Sequence, residues 1–389
     1  MKYNFDEIVN RENTDSVKYD LRKVIFEKED VIPMWVADMD FKTPDFIINA
    51  IKERLNHEVF GYSFRSKSYF ESIINWLKRR HKWEVQEEWM SFGPGIVPAI
   101  NMAVLAYTKP GDKIIVQTPV YFPFFSAIVN NNRVQIENQL QLINNRYCID
   151  FEDLEEKLKE AKMIILSNPH NPGGSVWTKD ELKKIGDLCV KNDVIILSDE
   201  IHADLVFKEF NYTPLASLSK EIDDITVTFI APSKTFNMAA LATSSLICSN
   251  KELKEKYDKV LDTIHVGMGN VFGAVASEAA YNFGDEWLGQ LMEYLSGNLD
   301  YLDHYLKENI PQIKMIRPEG TYLVWLDCSE LKMTDKELKD FMIQKAGLGL
   351  NAGTMFGTGG EGFMRINVAC PKQTITDALT RLENAVNKL

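Results

Sequence analysis

Lys234 follows the apolar run "ITVTFIA" (225–231) and Pro232-Ser233, and the residues after it, "TFNMAAL", are not the polar surface a lysine normally decorates. Three earlier apolar runs end in a comparable way. "DKIIVQTP" (112–119) leads to Tyr121, "AKMIILSNP" (161–169) to Asn168, His170 and Asn171, and "DVIILSDE" (193–200) to Asp199 and His202. Ligands of open α/β sheets bind beyond the carboxyl ends of the strands. If the runs are parallel strands, Lys234 faces Asp199, Asn171 and Tyr121 across one crevice. One chemistry needs this set. A lysine amine forms a Schiff base with pyridoxal 5′-phosphate, and a carboxylate keeps the pyridine nitrogen protonated so that the ring absorbs carbanion electrons. An Asn with a His or Tyr bonds the phenolic oxygen, and an aromatic ring stacks on the pyridine.

The remaining requirements have candidates too. A phosphate needs backbone N–H groups at a helix start. "SFGPGIVPAINMAVLAY" (91–107) offers one, with Pro98 in the first turn, where a proline loses little. A substrate carboxylate needs a two-pronged cation, and Arg365 in "FMRINVA" suits that role. Each residue alone has a plainer reading: a loop lysine, a helix-starting acid, an Asn-Pro turn, a structural histidine. Their joint fall on successive strand ends is what argues for one site. Two decoys fail. "GTGGEG" (357–362) precedes a strand-like run rather than a helix, so it is no dinucleotide loop. "DEIHAD" (199–204) has no HExxH or second histidine cluster beside it, and no metal is expected.

The elements that must hold these residues alternate. Near-continuous apolar runs, including a fifth at "SSLICSN" (244–250), read as strands buried on both faces. Between them lie amphipathic helices such as "TKDELKKIGDLCVKND" (178–193), with Thr178 and Glu181 spaced as a capping box. This predicts an α/β fold with a mainly parallel, doubly wound sheet. The last hundred residues read as a smaller α+β module: a long helix over 286–309, the strand-like "GTYLVWLD" (320–327), a helix near 334–346 and the strand-like "GFMRINVAC" (362–370). We expect a large domain over 46–285, a small domain over 286–389 and an irregular segment over 1–45. The 389 residues carry a net charge of −12, which disfavours nucleic acid and anionic membranes as partners. No apolar run is long enough for a membrane span, and the N-terminus has no signal core. Five scattered cysteines read as reduced thiols, so a cytoplasmic location is expected.

With these motifs assembled, the chain resembles the fold type I pyridoxal-phosphate enzymes of the class I/II aminotransferase superfamily. Within it, the chain is similar to the bacterial cystathionine β-lyase-like C–S β-lyase branch. The resemblance covers essentially the whole length, through "MWVADMDF" (34–41), "FGYSFRSKSYF" (60–70), "TPVYFPFF" (118–125), "NPHNPGG" (168–174), "SDEIHADLVF" (198–207), "PSKTFNMAAL" (232–241) and "AGLGLNAGTMFGTGGEGFMRIN" (346–367). It implies a seven-stranded-type sheet and a catalytic set of Lys234, Tyr121 and Asp199. Lys234 would carry the cofactor and shuttle the Cα proton, Asp199 would pair with the pyridine nitrogen, and Tyr121 would stack on the ring. Asn171 and His202 would lie at the phenolic oxygen. Gly95, Ile96 and Val97, helped by Ser233, would bind the phosphate. Tyr62 would reach it from a second subunit, implying a homodimer with shared sites. Arg365 would hold the substrate carboxylate, with the Ala37 backbone nearby. One departure stands out: "TFNMAALATSS" (235–245) lacks the phosphate-binding arginine many aminotransferases carry after the lysine.

The resemblance implies α,β-elimination from cystathionine or related cysteine S-conjugates, giving pyruvate, ammonia and a thiol. The residue types alone fit an aminotransferase of aromatic or neutral amino acids equally well. A third reading, a regulatory protein keeping the pocket as a relic, is opposed by the intact lysine, aspartate and arginine.

Overall fold

The computed structural model describes residues 2–389. Met90–Gly93 (β1), Lys113–Val116 (β2), Val134–Glu137 (β3), Met163–Ser167 (β4), Ile195–Asp199 (β5), Thr226–Ile230 (β6) and Ser244–Ile247 (β7) form one seven-stranded sheet, in the order β1-β7-β6-β5-β4-β2-β3. The apolar runs are continuous because the sheet is covered twice. Successive residues of one strand enter opposite cores: Met163 and Ile165 pack into one, Ile164 and Leu166 into the other. The predicted capping box is present, with Thr178 accepting from the Glu181 N–H at the start of the helix Lys179–Lys191.

The pairs β2–β3, β2–β4, β4–β5 and β5–β6 are parallel, so their carboxyl ends share one edge. Ser167 pairs with Asp199, and Asp199 with Phe229, which brings these ends level. β7 is the exception and runs antiparallel to both β6 and β1. The reason is the connection carrying Lys234. It holds only a short 3₁₀ turn (Ala239–Leu241), whereas a parallel return needs a full crossover element.

Two strands of this sheet carry no such signal in the sequence. β3 is a partly exposed edge strand, "VQIE", that alternates polar and apolar residues. β1, "MSFG", is four residues long and ends at the glycine-rich turn. Neither has the long apolar run that revealed the other five.

A second, antiparallel sheet joins Lys314–Ile316 (β8), Leu323–Asp327 (β9), Asn351–Ala352 (β10) and Phe363–Asn367 (β11), in the order β8-β9-β11-β10. The helices Asp285–Asn309 and Lys372–Val386 bury stripes at helical spacing, including Leu288, Leu295 and Leu302 and Ile375, Leu379 and Leu382, in the core beside it. The N-terminal segment is attached here as well. Ile32–Pro33 pairs with Leu348–Gly349, and Phe5 packs on Phe41, Trp287 and Tyr294. Among the described residues no helix is long and apolar enough to cross a membrane. Four of the five free cysteines are buried, and Cys148 is half-buried.

Candidate active site

The shared strand edge opens into a cavity of about 210 Å³. Its walls carry Ala37, Gly95, Ile96, Val97, Tyr121, Asn171, Asp199, His202, Ser233 and Lys234, with Pro98, Ser167, Ile201 and Ala239 completing the lining. The lysine that looked misplaced therefore points into a hole at the sheet edge, and of the apolar residues after it Phe236 and Met238 belong to the core.

Lys234 Nζ donates to the Ala37 carbonyl at 2.6 Å, and the Tyr322 hydroxyl donates to the same oxygen at 3.0 Å. Burial lowers the lysine to about 8, and nearby Arg365 adds to this, while Asp38 and Asp199 work against it. Asp199 is in the opposite situation. It accepts one bond, from the Ile201 N–H at 3.2 Å, and no cation lies within ion-pair distance among the described residues. Burial raises its carboxyl to about 7, against the pull of that N–H and of Lys234. A buried carboxyl this poorly supported calls for a proton or cation from a bound group.

His202 is buried with Nδ1 unpartnered, and its ring meets Tyr322 edge-on at 6.2 Å. Burial, then the charges of Lys234 and Arg365, press it down to about 3, so it is neutral near pH 7. The Asn171 Oδ1 accepts from Arg365 Nη1 at 2.9 Å, which leaves its NH₂ as the free donor. Tyr121 is half-buried and braced edge-on by Phe124 at 5.8 Å. Gly95, at φ +119°, takes a conformation open to glycine and caps the helix Ile96–Tyr107. Gly93 is required for a different reason: a Cβ there would lie 2.5 Å from the Ser244 Oγ of β7.

Arg365 sits in mid-sheet, opposite Trp325 and Asn351. Its Nη2 donates to the Trp35 carbonyl at 3.0 Å and to Asn351 Oδ1 at 2.8 Å, and its buried Nε has no partner. It is joined to the cavity through Asn171 rather than lining it. Tyr62 stands apart, 97% exposed and away from the cavity of its own chain. His170 is a structural residue: it is buried, accepts from the Gly173 N–H and lies 5.6 Å from Trp177. Among the described residues no cluster of three or more His, Cys, Asp or Glu could hold a metal ion.

Sequence reasoning missed Tyr322, Asn351 and the Trp35 carbonyl. Tyr322 lies in a segment that reads only as a strand, Asn351 lies between the helix near 334–346 and the strand-like run at 362–370 with no element assigned to it, and a carbonyl leaves no trace in residue type.

Comparison with known proteins agrees with this geometry. The model of the family "Aminotransferase class I and II" matches residues 29–382. The cystathionine β-lyase PatB of Bacillus subtilis is 42% identical over 99% of this chain and all of its own. A pyridoxal-phosphate-bound structure from Clostridium difficile 630 is 47% identical and superposes with a TM-score of 0.98, covering 99% of this chain and 100% of that one. The pyridoxal-phosphate-bound C–S lyase of Staphylococcus hominis, in complex with L-cycloserine, is 34% identical with a TM-score of 0.93, over 99% and 98% of the two chains. With a fold type I pyridoxal-phosphate architecture around its cavity, the chain belongs to the class I and II aminotransferase family.

Proposed function

We propose that this protein is a pyridoxal-phosphate-dependent C–S β-lyase. It cleaves cystathionine or a related cysteine S-conjugate to pyruvate, ammonia and a thiol. The observation that carries the reading is the pair lining one cavity: a half-buried lysine held on a backbone carbonyl with lowered basicity, and a buried carboxyl that lacks a cation. A pyridine N–H⁺ supplies the missing charge, the Asn171 NH₂ and the orphaned His202 nitrogen suit a ring oxygen, and the open helix start at Gly95–Val97 with Ser233 suits a phosphate. The likeness to PatB and to the S. hominis C–S lyase supports elimination over transamination.

Bound there, the cofactor supplies an aldehyde that links to amines and a ring that withdraws electrons from a substrate Cα. Lys234, neutral over a good part of the population near pH 8, accepts the Cα proton. Asp199 would hold the ring nitrogen in its charged form, and Tyr121 would stack on the ring. Arg365, steadied by Asn351 and the Trp35 carbonyl, orients the substrate carboxylate with its unpaired donors. The thiolate leaves from Cβ and takes up a proton, and the three-carbon enamine that remains is hydrolysed by water to pyruvate and ammonia.

A second copy of the chain completes the site. Val59, Phe60, Tyr62 and Phe64 expose 66%, 56%, 97% and 88% of their surface, with Met268 also exposed, a patch suited to burial against another subunit. Tyr62 then serves the partner's phosphate pocket. We read residues 286–389 as a small domain that moves little relative to the rest, because one core runs through both.

The test is product analysis with cofactor-loaded protein and cystathionine, without any keto-acid acceptor. Pyruvate, ammonia and thiol in equal amounts are expected. Turnover that needs an acceptor and releases no thiol would overturn the assignment in favour of transamination.

A further inference from the structure

Beside the cavity lies a polar cluster that the reaction does not use, with Trp76 and Thr235 buried, Asp204 and His81 half-buried and Arg80 reaching solvent. Asp204 ends the turn after β5 that also carries Asp199 and His202. Its Oδ1 accepts from Trp76 Nε1 at 3.0 Å and from His81 Nε2 at 2.9 Å, with Arg80 Nε at 3.8 Å. These three residues lie on the helix Lys67–His81. The other oxygen, Oδ2, accepts from the Thr235 Oγ1 at 3.0 Å. Thr235 is fully buried and directly follows Lys234, yet it does not line the cavity. Adjacent residues of one loop thus divide the work: Lys234 turns to the cavity, and Thr235 turns away to the carboxylate.

We infer that Asp204 is a positioning residue, which through Thr235 holds the Lys234 loop at a fixed separation from the turn bearing Asp199 and His202. The inference rests on the function proposed above. Stability alone does not explain the cluster, because apolar residues commonly replace buried charge networks without loss. What a carboxylate with three directed hydrogen bonds adds is geometry, since each bond fixes a distance between elements that packing alone leaves adjustable. The two loops it joins are the ones that must grip opposite ends of the same ring. On its far side the lysine loop is tied again: Asn237 accepts from the Met39 N–H at 2.9 Å and donates to the Met39 and Phe41 carbonyls at 2.9 and 2.7 Å.

Thr235→Val keeps the shape and removes only the hydroxyl, and Thr235→Ser keeps the bond. Asp204→Asn alters the other end. For Thr235→Val we expect kcat to fall about tenfold with KM nearly unchanged, in line with loss of one hydrogen bond to a charged group. The pH midpoint of the bound cofactor's absorbance should shift, while the cofactor-free protein melts close to wild type. Thr235→Ser should restore both the rate and the midpoint. Asp204→Asn takes the charge from this link without removing it, and should lower kcat and move the midpoint in the same direction as Thr235→Val. Wild-type kcat and midpoint in Thr235→Val would overturn the inference, as would a rate loss that Thr235→Ser fails to restore. If Thr235→Val does not fold, Asp204→Asn and Thr235→Ser decide on the same two readouts. Failure of the wild type to take up cofactor would instead sink the proposed function, so the two failures are distinguishable.

Discussion

Two clusters of charge are buried around the segment 36–40, and they are built in opposite ways. In the N-terminal latch, Lys18 is 1% exposed and lies 2.8 Å from Asp40 and 3.6 Å from Asp38, while Arg11 bonds Asp38 at 2.6 Å and Asp40 at 2.7 Å. Two cations meet two carboxylates, and every charge has a partner. A few residues away, the cavity holds Lys234 on a carbonyl, Asp199 on one N–H and His202 with an empty nitrogen. Paired burial produces structure. Unpaired burial stores a demand that a bound group or a substrate can meet, which is why such groups gather where chemistry occurs.

The contrast can be broken by substitution. The largest effect belongs to Lys234→Ala, which should cut turnover by about a thousandfold or more and abolish borohydride trapping of the cofactor on the chain. Residual activity near wild type, measured as pyruvate release, would refute its role. Next, the two clusters should respond to charge removal with opposite signs. Lys18→Met leaves Arg11 as the one cation facing the carboxylates of Asp38 and Asp40 and should destabilise the fold by about 3–5 kcal/mol in urea unfolding, with kcat of the folded protein little changed. Asp199→Asn removes an unsupported charge, so the cofactor-free protein should melt at or above the wild-type temperature while kcat falls about a hundredfold. Equal destabilisation by both would erase the distinction. Arg365→Ala should raise KM by the roughly 1.5–3 kcal/mol of a charged hydrogen-bonded contact, with a smaller change in cofactor affinity, as read from steady-state kinetics and cofactor titration.

The smallest effect is a slope. Burial raises Asp199 and Glu200 to about 7 from their ordinary 3.8 and 4.5. Between those limits the folded, cofactor-free chain holds protons that the unfolded chain has released. The contribution of these two groups to stability therefore falls as pH rises from about 4 to about 7. Asp199→Asn should remove its share of that fall, and melting curves of the variant and wild type across this range should diverge. Parallel curves would show that Asp199 is not held in so dry a place.

Much of this was legible beforehand. Lys234, Asp199, Asn171, His202 and Tyr121 each close an apolar run, and parallel strands of similar length bring such residues together without further instruction. The edge strand β3 and the short β1 were not legible, because partial exposure and a four-residue length leave no periodic signal. The antiparallel turn of β7 was hidden as well, since direction follows from the length and content of a connection and not from the strand itself.

The sequence by itself determined which residue types stand at the carboxyl ends of the strands, because local hydrophobic runs and capping signals report elements directly. Only the tertiary structure decided that the Ala37 carbonyl receives both Lys234 and Tyr322, that Arg365 is joined to the cavity through Asn171, and that Asp204 ties the lysine loop to the turn after β5. Those contacts join segments as much as 285 residues apart. Their partners are set by how helices and sheets pack, which no local pattern records.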